Sequence, residues 1–332
     1  MKDEEMKPLI AFGIESTAHT FGIGIVDSDK RILANVRRAY STEQEGMIPA
    51  KVADFHIKNA EEIIREALTK ANLSMKDIGL ISFSQGPGMG HCLRVGAIIA
   101  RSLALKYNIP IIGVNHCIAH LEIGKALTEA KDPVLLYASG ANTQIIAFES
   151  NRYRIFGESL DIGVGNFIDA FARYIKLGFP GGPKIEALAK QSDNYIMLPY
   201  VVKGMDVSFG GILTNLKQKY DSGKYKIEDL CYSMQETVFA MLIEVSERAM
   251  AHCRKNELLL GGGVACNKRL QEMAEKMATE RGAKAYFLEN QFNVDNGAMI
   301  AWLGILEYLR GKRQTISETE IRPYWRTDEE EY

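Results

Sequence analysis

The sequence is poor in cysteine and has no paired cysteine motif. Cys92, Cys117, Cys231, Cys253 and Cys266 are scattered through 332 residues without a Cys-x-x-Cys spacing. That excludes a zinc ribbon, argues against a disulfide framework and favours a reducing cytosol. No apolar run reaches the roughly 20 residues that a bilayer span requires. The opening Met1-Lys2-Asp3-Glu4-Glu5 lacks the pattern of a signal peptide, so a cytoplasmic location without a membrane partner is expected. Excess charge of either sign is missing too: 40 Lys and Arg face 42 Asp and Glu, a net charge of −2. Such a balance predicts no broad basic surface for nucleic acid. The glycine-rich Ser84-Gln85-Gly86-Pro87-Gly88-Met89-Gly90 has neither the lysine nor the hydroxyl of a Walker loop, which leaves a backbone crossing or lid beside the phosphate-cradle reading.

What is present is ordinary in bulk and specific in detail. A content of 46% hydrophobic and 25% charged residues is that of a globular protein, and 332 residues suggest two domains. The centre of the chain is Val114-Asn115-His116-Cys117-Ile118-Ala119-His120-Leu121-Glu122, which follows an apolar run that reads as a buried strand. With Asn115 as N-cap, His116 and His120 stack one turn apart on one helix face. Two imidazoles so placed can hold one divalent metal if a carboxylate joins them from elsewhere. One capping and one solvated histidine is the alternative.

A supersecondary unit occurs twice. The strand Leu9-Ile10-Ala11-Phe12-Gly13-Ile14-Glu15, the polar turn Ser16-Thr17-Ala18-His19-Thr20 and a returning strand to Asp27 are followed by a third strand near residues 31–40. Residues 134–138, the turn Ser139-Gly140-Ala141-Asn142, residues 143–149 and 153–160 repeat that order. The repetition predicts two similar halves facing each other across a cleft. The first is expected to run from 1 to 130 and the second from 131 to 296. The final helix and tail, 297–332, would pack back on the first half. The helix at 230–253, with its methionines, reads as core. Gly261-Gly262-Gly263 lets a flat ligand lie on backbone, and Asn267 offers an amide to a hydroxyl or base edge. Asp295, at the mouth of the last helix, is an N-cap by default and a third metal ligand by position. The charged tail from Arg310 reads as irregular and solvated.

Together these stretches resemble the actin, hexokinase and DnaK-type ATPase fold, with two RNase H-like halves. Within it they resemble the universal tRNA threonylcarbamoyladenosine synthases, once described as O-sialoglycoprotein endopeptidases. The likeness is carried by Gly13-Ile14-Glu15-Ser16-Thr17-Ala18-His19-Thr20, by 115–120, by Ser139-Gly140-Ala141-Asn142-Thr143-Gln144, by Gly261-Gly262-Gly263-Val264 and by Asp295-Asn296-Gly297-Ala298-Met299. Residues 203–209 and 326–329 resemble the archaeal and eukaryotic branch, the catalytic subunit of the KEOPS complex. Ala141 departs from the family, which usually has glycine there.

The resemblance implies His116, His120, Tyr137 and Asp295 as metal ligands. It implies Tyr137, Ala138, Ser139, Gly140, Ala141, Asp169, Gly182, Glu186 and Asn267 as nucleotide-substrate contacts. It implies transfer of threonylcarbamoyl from threonylcarbamoyl-adenylate to the exocyclic amine of the adenosine 3′ to the anticodon, in tRNAs reading codons that start with A, with release of AMP. One divalent transition metal is expected, Fe(II) ahead of Zn(II), with AMP or ATP as further nucleotide ligands and Mg as an option beside the nucleotide. The partners implied are tRNA, a small kinase/ATPase and a small dimerising subunit. No general base is identifiable. A metallopeptidase is disfavoured because Cys117 stands where zinc peptidases carry glutamate after the first histidine. An ATP-binding conformational switch of the same fold is the other alternative, and it would not need the histidine pair.

Overall fold

The computed structural model describes residues 7–42 and 47–329; the features noted at residues 1–5 and 330–332 lie outside them. The chain divides into two compact units. The first holds residues 7–40, Met47–Leu127 and Asp295–Arg326, and the second residues 41–42, Thr128–Val294 and 327–329. Asp295 and Asn296 therefore belong with the first unit, where the sequence reading drew its boundary after 296.

In the first unit, β1 (Ile10–Glu15), β2 (Thr20–Asp27) and β3 (Ile32–Ala39) form an antiparallel meander. Helix α1 (Pro49–Ala71) leads to β4 (Leu80–Gly86), which lies parallel to β1. Helix α2 (Gly90–Tyr107) leads to β5 (Ile111–Asn115), parallel to β4, and α3 (His116–Leu127) follows without a linker. The sheet order is β3-β2-β1-β4-β5. Phe12, Ile14, Ile23 and Phe83 supply the core beneath α1 and α2.

The second unit repeats the plan. Strands β6 (Val134–Ala138), β7 (Thr143–Glu149) and β8 (Arg152–Glu158) form its meander. Then come α4 (Val164–Tyr174), α5 (Gly182–Ala189), the two-residue strands β9 (Val202–Lys203) and β10 (Asp206–Val207), α6 (Gly210–Asp221) and α7 (Ile227–Cys253). Strand β11 (Glu257–Gly261) is parallel to β6, α8 (Lys268–Glu280) leads to β12 (Lys284–Tyr286), and the single turn α9 (Asn290–Asn293) follows. The order β8-β7-β6-β11-β12 matches the first sheet strand for strand. Met234, Met241 and Met250 of α7 are core residues.

Helix α10 (Gly297–Leu309) returns to the first unit and packs on β1 and β2. The contact is backbone on backbone. Gly13 and Gly24 are directly opposed across the β1–β2 pair. A Cβ on Gly13 would overlap the main chain of Ala301, and one on Gly24 the main chain of Ala298. Only glycine lets a helix and a sheet approach so closely.

One expectation is corrected here, and one choice between two readings is made. The tail is not solvated: Trp325 and Thr319 are buried, Gln85 donates to the carbonyls of Glu318 and Glu320, and Arg101 donates to the Thr319 hydroxyl at 2.9 Å. The glycine-rich stretch after β4 is a backbone crossing, because Arg322 N–H donates to Gln85 O at 2.8 Å and Gly88 N–H to Pro323 O at 3.1 Å. Main-chain groups of Glu318, Glu320, Arg322 and Pro323 make several of these contacts, which sequence polarity does not report.

Two predictions follow from this packing. Gly24→Ala forces a methyl into the α10 backbone, and overpacking of this kind costs about 1–3 kcal/mol; chemical denaturation measures it. His56 of α1 is fully buried beside Phe21. Burial, opposed by the His19 main chain, lowers its pKa from 6.5 to about 4. The folded pKa lies below the unfolded one, so protonation favours unfolding. Stability is lost as pH falls from 6.5 towards 4, by up to about 3 kcal/mol. Denaturation of His56→Leu should show a flatter profile across that window.

Candidate metal centre and nucleotide-contact residues

Strand β5 ends where α3 begins, and Asn115 makes the join. Its side-chain oxygen accepts from Cys117 N–H at 2.9 Å and Ile118 N–H at 3.3 Å, so it caps the helix as the sequence predicts. His116 and His120 then lie one turn apart with ring centroids 4.9 Å apart. The final helix brings the carboxylate. Asn296, not Asp295, caps α10, accepting from Met299 N–H at 3.0 Å. Asp295 is thereby left outside the helix, and its Oδ1 lies 3.4 Å from His116 Nε2 and 3.6 Å from His120 Nε2. The default reading of Asp295 as the cap is overturned because the neighbouring amide takes that role.

These three groups are the cluster of metal-ligating type among the described residues, with one ligand atom from each lying within 4.8 Å of the others. Ligands bound at about 2.0–2.2 Å around a tetrahedral ion stand roughly 3.3–3.6 Å apart. The 3.4 and 3.6 Å separations fall in that range and are long for charge-assisted hydrogen bonds. Both imidazoles are buried, so water does not compete. The donor set fits one divalent transition metal with positions left for another ligand.

Behind His116 lies Glu15, the acid that ends β1. Its Oε2 is 2.9 Å from His116 Nδ1, and its Oε1 accepts from Thr17 N–H at 2.6 Å and Thr17 Oγ1 at 2.5 Å. A carboxylate on Nδ1 fixes the ring so that Nε2 faces Asp295. Sequence reasoning did not assign this role; the signal for it was an acid closing an otherwise apolar, buried strand.

The electrostatics agree. Burial would lower the His116 pKa, but Glu15 and then Asp295 outweigh it and hold the imidazole well above its usual range. Burial lowers His120, helped by the charge of His116 and opposed by Asp295. Burial would raise Asp295, but the imidazoles of His116 and His120 beside it hold it well below the carboxylate range. The centre is an anionic pocket that retains positive charge.

The residues expected to contact nucleotide lie in the second unit. Tyr137 and Ala138 end β6 and are buried. The turn after them is closed by Ser139, whose N–H and hydroxyl both donate to Asn142 O, at 2.9 and 3.0 Å. Gly165 and Asn166 N–H groups, at the start of α4, donate to Ser139 O and Gly140 O. Ala141 is exposed without a positive φ, so its methyl is accommodated. Gly262, at φ +91°, lies against the Ala138 main chain, a position that only glycine fills without strain. Asp169 Oδ1 accepts from Gly181 N–H at 2.8 Å, next to Gly182 at the start of α5. Glu186 on α5 accepts from Lys268 N–H at 3.4 Å, which brings it to the start of α8. Asn267 is largely spent on structure: its oxygen caps α8, accepting from Arg269 and Leu270, and its amide donates to Gln235 at 2.7 Å. The structure thus links Asp169 to the turn before Gly182, and Glu186 to the Asn267 region.

Two matching five-stranded sheets, each a meander extended by two parallel strands, together with a His-His-Asp group whose histidines are buried, define a protein of the actin, hexokinase and DnaK-type ATPase fold carrying a site suited to a transition metal. Among solved structures, HypF of T. kodakarensis overlays with a TM-score of 0.65 at 15% identity, over 92% of this chain and 49% of that one; this chain spans about half its length, and the likeness is one of fold. The model of the family TsaD, tRNA N6-adenosine threonylcarbamoyltransferase, matches residues 31–302. The chain belongs to that family. It is 56% identical, over 97% of its own length and 99% of the relative, to the tRNA N6-adenosine threonylcarbamoyltransferase of Thermococcus sibiricus. It is 50% identical to a probable bifunctional tRNA threonylcarbamoyladenosine biosynthesis protein of Methanocaldococcus jannaschii, over 96% of this chain and 59% of that one.

Removing the support behind His116 gives a test of the centre. Loss of such a partner weakens metal affinity by about 10–100-fold. Glu15→Ala should show that loss in a competition titration with Co(II), and Glu15→Gln, which keeps one acceptor oxygen, a smaller one.

Proposed function

We propose that this chain transfers threonylcarbamoyl from threonylcarbamoyl-adenylate to the exocyclic amine of the adenosine 3′ to the anticodon, in tRNAs reading codons that start with A. The observation that carries the reading is the group of buried His116 and His120 with Asp295 in a chain that matches a transferase family over most of its length. The amine nitrogen forms a bond to the carbamoyl carbon, the carbon–oxygen bond to the adenylate phosphate breaks, the amine gives up a proton and AMP leaves.

The work is divided among residues of both units. His116, His120 and Asp295 hold one divalent metal, with Fe(II) preferred to Zn(II), and the resemblance adds the Tyr137 phenol as a further ligand. When bound, the metal supplies Lewis-acid stabilisation of charge developing on a carbonyl or phosphate oxygen. Glu15 keeps the His116 ring oriented. In the second unit, the backbone of residues 138–141 offers donors to a phosphate, while Asp169 and Glu186 offer acceptors to ribose hydroxyls or the base amine. Gly182 permits close approach, and Asn267 contributes its remaining amide hydrogen. Mg accompanies the nucleotide where a di- or triphosphate is bound.

The activity is cytoplasmic and depends on a small kinase/ATPase and a small dimerising subunit of the KEOPS type. No helix among the described residues is long and apolar enough to cross a membrane. Peptidase chemistry is not supported: Cys117, where the general base would sit, is buried, and Glu122 pairs with Lys125 at 2.9 Å.

Reconstitution with those partners, threonylcarbamoyl-adenylate and unmodified tRNA should yield the modified adenosine; no product under conditions that serve a known relative overturns the proposal. His116→Ala with His120→Ala should lose stoichiometric metal and transfer together while the far-UV spectrum is retained. Metal analysis of Tyr137→Phe tests the fourth ligand.

A further inference from the structure

Besides the residues assigned to metal and nucleotide, the second unit carries a surface that the proposed function does not use. Residues 217–226 contain four lysines and two tyrosines with a single acid, Asp221, in a chain whose net charge is −2. The C-terminal end of α4 packs against them. Tyr174 lies with its ring 6.0 Å from that of Tyr220 and its hydroxyl on Asp221 at 2.6 Å, so the local acid is engaged. Lys217 sits over the Tyr174 ring at 4.9 Å and Lys219 over the Tyr225 ring at 4.9 Å. Tyr174 and Tyr225 are both 38% exposed. Lys176 follows α4 and Lys184 reaches the carbonyl of Leu177 beside it. Lys224 and Lys226 are exposed on the other side of Tyr225.

Some lysines elsewhere on the surface are neutralised within their own helix. Lys70, Lys190 and Lys276 each pair with a glutamate four residues away. Among the described residues, none of Lys176, Lys184, Lys217, Lys219, Lys224 and Lys226 has a carboxylate within ion-pair distance. Of the two acids that follow Lys226, Glu228 and Asp229, the second is held by Ser192 and Asn194 at 2.6 and 2.9 Å. Unpaired lysines repel one another, and a chain with more acids than bases has carboxylates available to neutralise them. Four lysines against one engaged acid within residues 217–226 leave a local excess of positive charge, interleaved with rings in cation–π contact.

We propose that this lysine–tyrosine surface at the ends of α4 and α6 is a contact for the phosphodiester backbone of tRNA. Lysines neutralise phosphates without reading sequence, and partly exposed tyrosines offer faces for stacking on unpaired bases. Single-sign charge with aromatic faces fits RNA better than an acidic protein, which would call for an apolar centre between the charges. The inference rests on the reading that this chain acts on tRNA and adds where part of that substrate is gripped.

The test is fluorescence-anisotropy titration of the full chain with an unmodified tRNA transcript across a salt series from low ionic strength. In the triple variant Lys217→Ala, Lys219→Ala, Lys224→Ala, affinity at low salt should fall at least about tenfold, and the slope of log K against log salt should shrink by about 2–3. Tyr225→Ala alone should weaken binding several-fold, with little change in salt slope. Metal content and far-UV spectrum should stay at wild-type values, which separates this surface from the metal centre. Wild-type affinity and slope in the triple variant overturn the proposal while leaving the transfer reading intact. Unchanged tRNA binding together with lost capture of a KEOPS-type protein subunit assigns the surface to a protein and equally overturns it. A wild-type chain that binds no tRNA at low salt removes this inference, while modified adenosine made with its partners keeps the transfer reading.

Discussion

The first unit depends on the approach of one helix to two glycines. Gly13 and Gly24 face each other across β1 and β2, and α10 lies on them with its main chain in contact. Side chains at those positions would lift the helix by the thickness of a methyl or more. Because Asp295 stands at the mouth of α10, that lift would carry its carboxylate away from His116 and His120. A 1 Å displacement is large for ligands that must lie within tenths of an ångström of one coordination distance. The seam is thus a packing constraint with a chemical consequence, and it explains why the strands below it contain glycine where sheets usually prefer branched residues.

A second layer of constraint runs through Glu15. One carboxylate oxygen is held by the turn after β1 and the other by His116. The same short stretch therefore shapes the turn and orients a ligand from α3, 101 residues away in sequence. Burying a carboxylate, an aspartate and two imidazoles together is costly unless each charge has a partner. His116 lies between two acids, and a divalent cation completes the balance more fully than a proton does.

The second unit uses the same topology for a different purpose. Its turn after β6 is braced by the start of α4 and by Gly262, so that main-chain groups are held in place by backbone contacts instead of side chains. Its acids, Asp169 and Glu186, are oriented by main-chain donors at the starts of α5 and α8. Rigid elements presenting a few polar groups are what a nucleotide site requires. The contrast with the exposed lysines of α6 is instructive, since those are arranged for a partner that is long, charged and read without sequence.

Much of this was legible in the residues. The strand-turn-strand unit and its repetition follow from alternation and turn chemistry. The cap at Asn115 and the stacking of His116 on His120 follow from helical spacing, because both are local. The place of Asp295 beside the histidines was legible only as one option of two, since aspartate at a helix mouth is most often a cap. The three-dimensional packing gives the cap to Asn296 and sets Asp295 next to the histidines. Glu15 behind His116, the burial of Trp325 in a tail of charged residues, and the loss of Asn267 to helix capping are all contacts between distant segments or main-chain hydrogen bonds. Composition and periodicity report which face of an element is apolar; they carry no record of which backbone another segment will approach, and that approach is what the tertiary structure alone decides.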